Sequence, residues 1–530
     1  MQKSYAPRIL VELTVDATTY RYATEDLYDT DDNFYEGTLL NEPVLRESLL
    51  DRFWGANEPM TVQLRFGNRS GVWHSLVNSS ELRGVIMTIK YYDPANIGET
   101  ELETEYTEED ILLEDGDTIL MESTAIEILA RGKIQEFDVR EEAVITAELN
   151  SMDVLETILP KKVVNTTDWP KATDLGAAVN IIFGRAKNIP LSYIHYDFDS
   201  DHYDYLIGYG PIQAVDALYR DGALVSDLEY GLYDGSQESP YPGYAVIRFG
   251  LEQKDFGGRL YTLTADVQGY PRNFAYVIEQ ILNDSAWGLG ESVDENSFAA
   301  AKDDINTIDS MYCDGAIIGE RRAKDVIDEL LFLCRGYLTQ NSLGEWQLFI
   351  DTYKTDVVAN FGHGDGYYDN ILEIESRSAL ASTQAYKSVT LRYAKNDRKQ
   401  KPYYENKRSV FLFGIDKFYE TDFVQDHITA DKITCYLARL AQYADSKLGL
   451  MVGMDGRTLD AQKIISVNIP DYSINGNYKI EEIEKHPGKF GLMLSEYSSD
   501  IYAYVAGDIP ADELADEDED YSNIYPLAPD

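Results

Sequence analysis

Three short stretches carry residue types whose spacing could do chemistry. HYDFDSDHYDY (195–205) sets His195 and His202 around Asp197, Asp199 and Asp201. Such a segment could hold a hard cation such as calcium, which takes about six to eight oxygen ligands. It lacks the turn glycine and the closing glutamate of a calcium loop, and a solvated loop anchored by tyrosines is the simpler reading. YDTDDNFYE (28–36) and FGHGDGYYD (361–369) mix acids, tyrosines and, in the second, glycines. They could bind a sugar or calcium, although exposed loops of this composition more often bind nothing.

Other reactive constellations are missing. No glycine loop runs into Lys-Ser/Thr, and no GxGxxG opens a helix. The six histidines (74, 195, 202, 363, 427 and 486) include no pair with zinc-protease spacing. Neither Ser75 nor Ser192 sits in a nucleophile elbow. With 93 acids in the chain, nearness in sequence singles out no general acid and base. The chain therefore reads as a non-enzyme with no catalytic, cofactor-binding or metal-ligating residue and no cofactor.

The bulk composition narrows the role. Lys plus Arg is 46 and Asp plus Glu is 93, a net charge of −47. So acidic a surface repels nucleic acid, yet it suits a channel through which DNA slides without sticking. A highly soluble acidic exterior is the plainer reading of charge alone. Tyrosine is abundant, 40 against 18 Phe and 5 Trp, and tyrosine favours strands and half-wet interfaces. Cys313, Cys334 and Cys435 are scattered and read as buried free thiols, which fits folding in a reducing compartment. No run nears the roughly 18 apolar residues of a membrane span, and MQKSYAPRIL has no signal-peptide core.

The elements that would position these residues emerge from periodicity. Thr429–Val505 begins with an amphipathic helix carrying Ile433, Leu437, Leu440, Ala441 and Ala444 on one face, with Thr429 placed to cap it. Strands come next, such as the one in which Phe490, Leu492 and Leu494 share a face. Gly319–Asp351 repeats the plan: a helix with Ala323, Val326, Leu330, Leu333 and Cys334 on one stripe, a left-handed cap at Gly336, and a hairpin turning at Asn341–Gly344. A third short helix runs from Asn273 to Asn283, while periodicity is weak through much of 255–318. In the first 150 residues, Val11/Leu13/Val15, Val62/Leu64/Phe66 and Val85/Met87/Ile89/Tyr91 alternate, with a hairpin turn at Asp16-Ala17. They predict a mostly antiparallel domain, closed or nearly closed into a barrel. Arg46–Trp54 reads as either a short helix or a strand crossing, Arg220–Gly222 as a turn and Asp397–Asn406 as an exposed loop. Trp54 and Trp73 are candidates for subunit or tube contact, or else core; Trp346 reads as core.

Taken in order, several of these stretches resemble the tail-hub and tail-tip (baseplate hub) proteins of tailed bacteriophages. The most specific is LGAAVNIIFGRAKNIPL (175–191) followed by YLIGYGPIQAVDALYRDGALV (205–225). ARGKIQEFDVREEAVITAELNSMDVLETILP (130–160) resembles the end of their first domain. LTADVQG (263–269) with NFAYVIEQILND resembles their helix-bearing insert, and KDVIDELLFLCRGYLTQNSLGEWQLFI a later domain. Residues 429–505 resemble their closing domain, and the likeness spans roughly 8–507.

The resemblance implies a mainly β fold with short helices (α+β), a multidomain tail-hub architecture with two tube-like β barrels. Its parts would be an N-terminal barrel (1–160), a second β-rich domain (161–260), a helix-plus-hairpin domain (261–385), a strand and closing helix-plus-strands domain (386–507), either separate or combined with part of the second domain, and an acidic tail (508–530). It implies a homotrimer at the distal end of the virion tail, assembled in the host cytoplasm. Three chains with two tube-like domains each would meet a sixfold tube. Expected partners are the tail tube and distal tail proteins, the tape measure protein, and peripheral baseplate or receptor-binding proteins. DNA would pass without specific binding during genome ejection, and no stable membrane insertion is expected. The likeness ends near 507, so host recognition would fall to another tail protein. The alternatives are a peripheral baseplate adaptor and a carbohydrate-binding or glycan-degrading protein.

Overall fold

Arg8–Val15 and Thr18–Ala23 pair antiparallel with Val15 opposite Thr18, so the expected hairpin forms, and Asp16 turns it at φ 49°. The structure, a computed structural model, describes residues 8–507 except 17, 30, 42, 44, 49–54, 57–59, 69–70, 80–81, 93–125, 150–152, 198–201, 226–229, 237–239, 251–261, 309–310, 342, 364–368, 380–384, 396–402, 413, 444–445, 457–458 and 487. Ala444, Trp54, most of the 361–369 stretch and the acidic tail thus lie outside the described residues.

The first sheet has six strands in the order Thr18–Ala23, Arg8–Val15, Ile86–Tyr92, Ile126–Val139, Glu142–Leu149 and Met60–Gly67. Residues 36–40 fill the gap between its two edges. On one side the Glu36 N–H donates to Arg21 O and the Ala23 N–H to Glu36 O; on the other Leu40 donates to Arg65 O and Gly67 to Thr38 O, at 2.7–3.0 Å. The sheet is therefore all but closed. Val11, Leu13, Val62, Leu64, Phe66, Met87 and Ile89 fill it, as their alternation predicts. Helix α1 (Val72–Ser79) adds Trp73, whose ring lies 5.1 Å from Tyr22 and 4.8 Å from Phe66. Trp73 is 1% exposed, so it is core and not a contact surface: burying an indole against two rings leaves none of it for a neighbour.

The second β region is two four-stranded sheets. One runs Arg185–Pro190, Leu263–Gly269, Ile212–Arg220, Ala223–Leu224, and the other Ser192–Asp197, His202–Tyr209, Tyr244–Gly250, Tyr230–Tyr233. They enclose Ile189, Ile207, Ile247, Phe249, Ala265 and Val267. Arg220 faces Ala223 across Asp221 (φ 51°) and Gly222 (φ 83°), the two positive-φ positions that a tight hairpin turn requires.

Helices α2 (Phe274–Asn283), α3 (Glu295–Thr307) and α4 (Ala323–Cys334) enter the largest core together with the hairpin Gly336–Gln340/Trp346–Ile350. The left-handed residue after α4 is Arg335 (φ 61°), not Gly336. Gly336 opens the next strand, where a Cβ would lie 2.8 Å from the Leu331 side chain and 2.9 Å from Cys334 Sγ. Trp346 is fully buried, as expected, and Cys313, Cys334 and Cys435 are buried free thiols.

A seven-stranded sheet runs Ala359–Gly362, Ile464–Ile469, Ile474–His486, Lys489–Glu496, Ser446–Val452 and Ile371–Ala379, with Leu45–Ser48 pairing to Ile474–His486. Of the two readings of 46–54, the strand crossing is thus seen at 46–48. Gly55–Ala56 then pairs in parallel with Gly336–Gln340, so one stretch of the N-terminal chain adds strands to two later sheets. Helix α5 (His427–Tyr443) packs on Tyr386–Tyr393 and Tyr404–Ser409, strands of a three-stranded sheet with Ile415–Glu420. The helix therefore joins the large central core, while the strands after it close a core of their own. Its cap is Asp426, whose Oδ1 accepts from the Thr429 N–H at 2.8 Å. Thr429 is buried in the first turn, and its hydroxyl accepts from the Tyr312 N–H at 3.2 Å. The 397–406 stretch is strand from Tyr404 onward and Asn406 is buried, because its carboxamide has partners on α5. No helix among the described residues is long and apolar enough to cross a membrane.

Candidate functional site

Among the described residues, the three stretches singled out by residue type build no shared cluster of His, Cys, Asp and Glu; Asp199 and Asp201 lie outside those residues. His195 and His202 lie on paired strands with ring centroids 5.5 Å apart. His202 Nε2 is 3.6 Å from Asp204 Oδ2. Asp204 is fully buried and already matched: Arg248 donates from Nε and Nη2 at 2.7 and 2.8 Å, and Tyr241 donates its hydroxyl. In the 28–36 stretch, Asp29 Oδ1 accepts from the Asp31 and Asn33 N–H groups at 2.9 and 2.8 Å, the side-chain-to-backbone bonding that shapes a turn. His363 Nδ1 lies 2.8 Å from Asp369 Oδ1 at the surface. Among the described residues, no three His, Cys, Asp or Glu side chains converge as metal ligands.

What does converge is a set of buried carboxylates met by tyrosines. Asp351 comes directly after the strand Trp346–Ile350, and its N–H donates to Arg335 O at 2.9 Å. Lys479 Nζ, from Ile474–His486, is 2.9 Å from Asp351 Oδ2, with both side chains 5% exposed. Tyr502 donates to Oδ1 at 2.7 Å, and Tyr436 of α5 donates to Oδ2. The Arg335 guanidinium lies 3.9 Å from the Tyr436 ring centre. Four segments of the chain thus meet at one carboxylate, with Arg335 packed behind them. Burial alone raises the Asp351 pKa, but Lys479 and the tyrosine hydroxyls outweigh it and hold the carboxyl below its usual value. Burial and the Asp351 charge push Tyr436 and Tyr502 well up, so both stay protonated donors.

Asp431, in the first turns of α5, forms a second junction. It accepts from Asn406 Nδ2 at 3.1 Å, Arg408 Nε at 3.0 Å, the Tyr504 hydroxyl at 2.9 Å and the Gly507 N–H at 2.7 Å. Burial opposes its ionisation, but the Gly507 N–H, Arg408 and Tyr504 bring its pKa down. Tyr504 is pushed up to about 12 by burial and by Asp431. The same pairing recurs in the first barrel, where Tyr35 donates to Glu12 at 2.6 Å, and in the second region, where Tyr219 donates to Asp266 at 3.3 Å. Some of the tyrosines therefore supply neutral donors to buried or half-buried acids. The arrangement fastens distant segments of the chain together.

Nothing in the order of residues near Asp351 announces this junction, since Tyr436 and Tyr502 stand 85 and 151 positions away. Helix α3 had a usable signal. Asp294 caps it by accepting from the Asn296 and Ser297 N–H groups at 3.0 and 3.2 Å, and Phe298, Ala301 and Ile305 recur on one face.

No family model matches the chain, and no curated protein matches it. Solved structures do resemble it. A protein of the virion of a native gene transfer agent particle aligns at TM-score 0.43 and 13% identity, over 63% of this chain and 87% of that one. A tail protein from Neisseria meningitidis MC58 aligns at TM-score 0.41 and 9% identity, over 93% of this chain and 98% of that one. The 43 kDa tail protein of prophage MuSo2 from Shewanella oneidensis aligns at TM-score 0.40 and 9% identity, over 94% of this chain and 100% of that one. Likenesses at TM-scores below 0.5 carry no inference about role.

Proposed function

We propose that this chain is a structural virion protein: the central hub at the distal end of a bacteriophage tail. There it continues or closes the tail tube and anchors the tip or baseplate proteins around it. The observation that carries this reading is the stitching of the N-terminal barrel into the rest of the molecule. Leu45–Ser48 and Gly55–Ala56 leave the barrel and pair with two later sheets, while Asp351 ties the central helices to the closing sheet. A molecule joined by crossing strands and buried ion pairs transmits force as one piece, which suits a plug under mechanical strain. The ordered sequence likeness to hub proteins supports the same reading.

In this proposal three copies form a ring, and its role is mechanical with no catalysed reaction. Acidic faces of a chain whose net charge is −47 line a lumen that DNA crosses without adsorbing. Light scattering on the purified chain over a range of concentrations tests the ring. A stable species of three chains is the expected result, and a monomer both alone and when mixed with the tube protein would refute it. Lysine substitutions of acids along the lumen should slow or block ejection; unchanged infectivity would sink the lumen part.

A further inference from the structure

The strand Ile415–Glu420 is one edge of its three-stranded sheet, paired in parallel with Tyr386–Tyr393. Among the described residues, no strand pairs with its other side. The ladder fixes which backbone groups face outward. The Ile415 N–H donates to Ala385 O and the Thr421 N–H to Arg392 O, both across to the paired strand. The register shift in this pair falls between Tyr386 and Ser388, so Ile415–Glu420 is itself unbroken. Successive residues alternate sides, and the N–H groups of Asp416, Phe418 and Glu420 therefore point away from the sheet. The side chains of these three share its outer face and are exposed, Phe418 at 58%. Tyr419 points the other way, its ring 4.5 Å from Phe332 of α4. Leu412 and Ile415, just before them in the chain, are exposed as well. Edges are commonly blunted by proline, bulges or charge; this one carries charge alone. It is closed to a copy of itself, because antiparallel pairing centred on Phe418 would set Asp416 against Glu420 twice.

We propose that this edge takes an extended segment of another protein as a fourth strand, one with a cation, an apolar residue and a cation at alternate positions. The outward N–H groups and carbonyls are met by a strand, as in β-strand addition. The row acid–Phe–acid calls for the complementary row across it. That row reads alike in both directions, so charge does not choose between parallel and antiparallel addition. The acids are only loosely engaged within the chain. Asp416 accepts from Ser388 and lies 4.0 Å from Lys387. Glu420 lies 4.0 Å from Arg392, whose 2.8 Å bond goes to Glu405. The edge is a surface for the anchoring role proposed above, and only the identity of the donor protein rests on that role. Binding is read on the purified chain without a virion, so its failure and that of the hub reading are separate.

The probe is the fluorescein-labelled peptide TKTVTKT, titrated with the full chain and followed by anisotropy. Saturable binding is expected. A peptide of the same composition with its lysines side by side should bind about tenfold more weakly. Phe418→Pro removes only an outward N–H, which an edge strand tolerates. It should weaken TKTVTKT by about tenfold or more with the circular dichroism spectrum unchanged. Asp416→Lys combined with Glu420→Lys keeps every backbone bond and should invert the preference, to TETVTET over TKTVTKT. Equal affinity for both arrangements of the lysines would mean plain attraction to an acidic chain and would overturn the proposal. An absence of saturable binding, or an uninverted preference in the double variant, would do the same. Dimers of the chain that vanish in Phe418→Pro would seat a second copy at this edge and overturn the cationic partner.

Discussion

The first barrel and the Asp351 junction hold the molecule by opposite means. In the barrel, alternating Val, Leu, Ile and Phe residues close on Trp73, and among the described residues that cluster holds no charged side chain; the Glu12 carboxylate is matched outside it by Tyr35, Arg21 and Lys90. At the junction a carboxylate, an ammonium and two phenols, drawn from distant parts of the chain, are buried together. A barrel core of this kind tolerates small losses, because each side chain contributes separately through the area it buries. The junction is all or nothing: an intact buried pair adds little net stability, but removing one partner strands the other charge. The barrel therefore sets where a unit folds, and the junction sets how units are joined.

Two substitutions of similar size should separate these roles. Asp351→Ala leaves the Lys479 charge buried and should cost about 3–5 kcal/mol. Trp73→Ala should also cost about 3–5 kcal/mol through lost packing and a cavity. They differ in reach. Hydrogen exchange should show Asp351→Ala loosening both the 323–351 and the 446–496 stretches, and Trp73→Ala loosening the barrel alone. Equal spread of both effects would break the comparison.

Smaller effects sharpen it. Tyr436→Phe and Tyr502→Phe each remove a donor to a charged acceptor and should cost about 1.5–3 kcal/mol in urea unfolding. Their double mutant should be non-additive, because both bonds end on Asp351. Asp351 and Asp431 both have lowered pKa values in the folded chain. The stability they contribute is present above the unfolded carboxylate value of about 3.9 and is lost as pH falls through their folded values. Acid should therefore weaken the junction, and Asp351→Asn should flatten the acid limb of the unfolding midpoint. Arg65→Gln removes an exposed pair with Glu142 and should change stability by less than about 1 kcal/mol.

The same contrast explains what could be read from the chain alone. Val11, Leu13, Leu64 and Phe66 announce their strands because alternation is local, and the α4 stripe likewise gives its helix and hairpin. Trp73 could be offered as surface because an indole next to polar residues carries no sign of the two rings it will meet. Asp351 was invisible for a different reason: one acid among 93 acquires meaning only when Lys479, Tyr436 and Tyr502 are brought to it by the fold. Tyrosine abundance was legible as a count, yet its use as a donor to buried acids was not. Asp426 could have been preferred to Thr429 as the α5 cap, since either residue type serves and only the backbone decides.

A threefold hub built from a rigidly joined chain is tested most directly by electron cryomicroscopy of the intact particle. Three copies are expected around the tail axis at its distal end, each fitting residues 8–507 with the N-terminal barrel still paired through Leu45–Ser48 to the closing sheet. Density for the chain only at the periphery of the tip, or off the axis with another copy number, would contradict the hub.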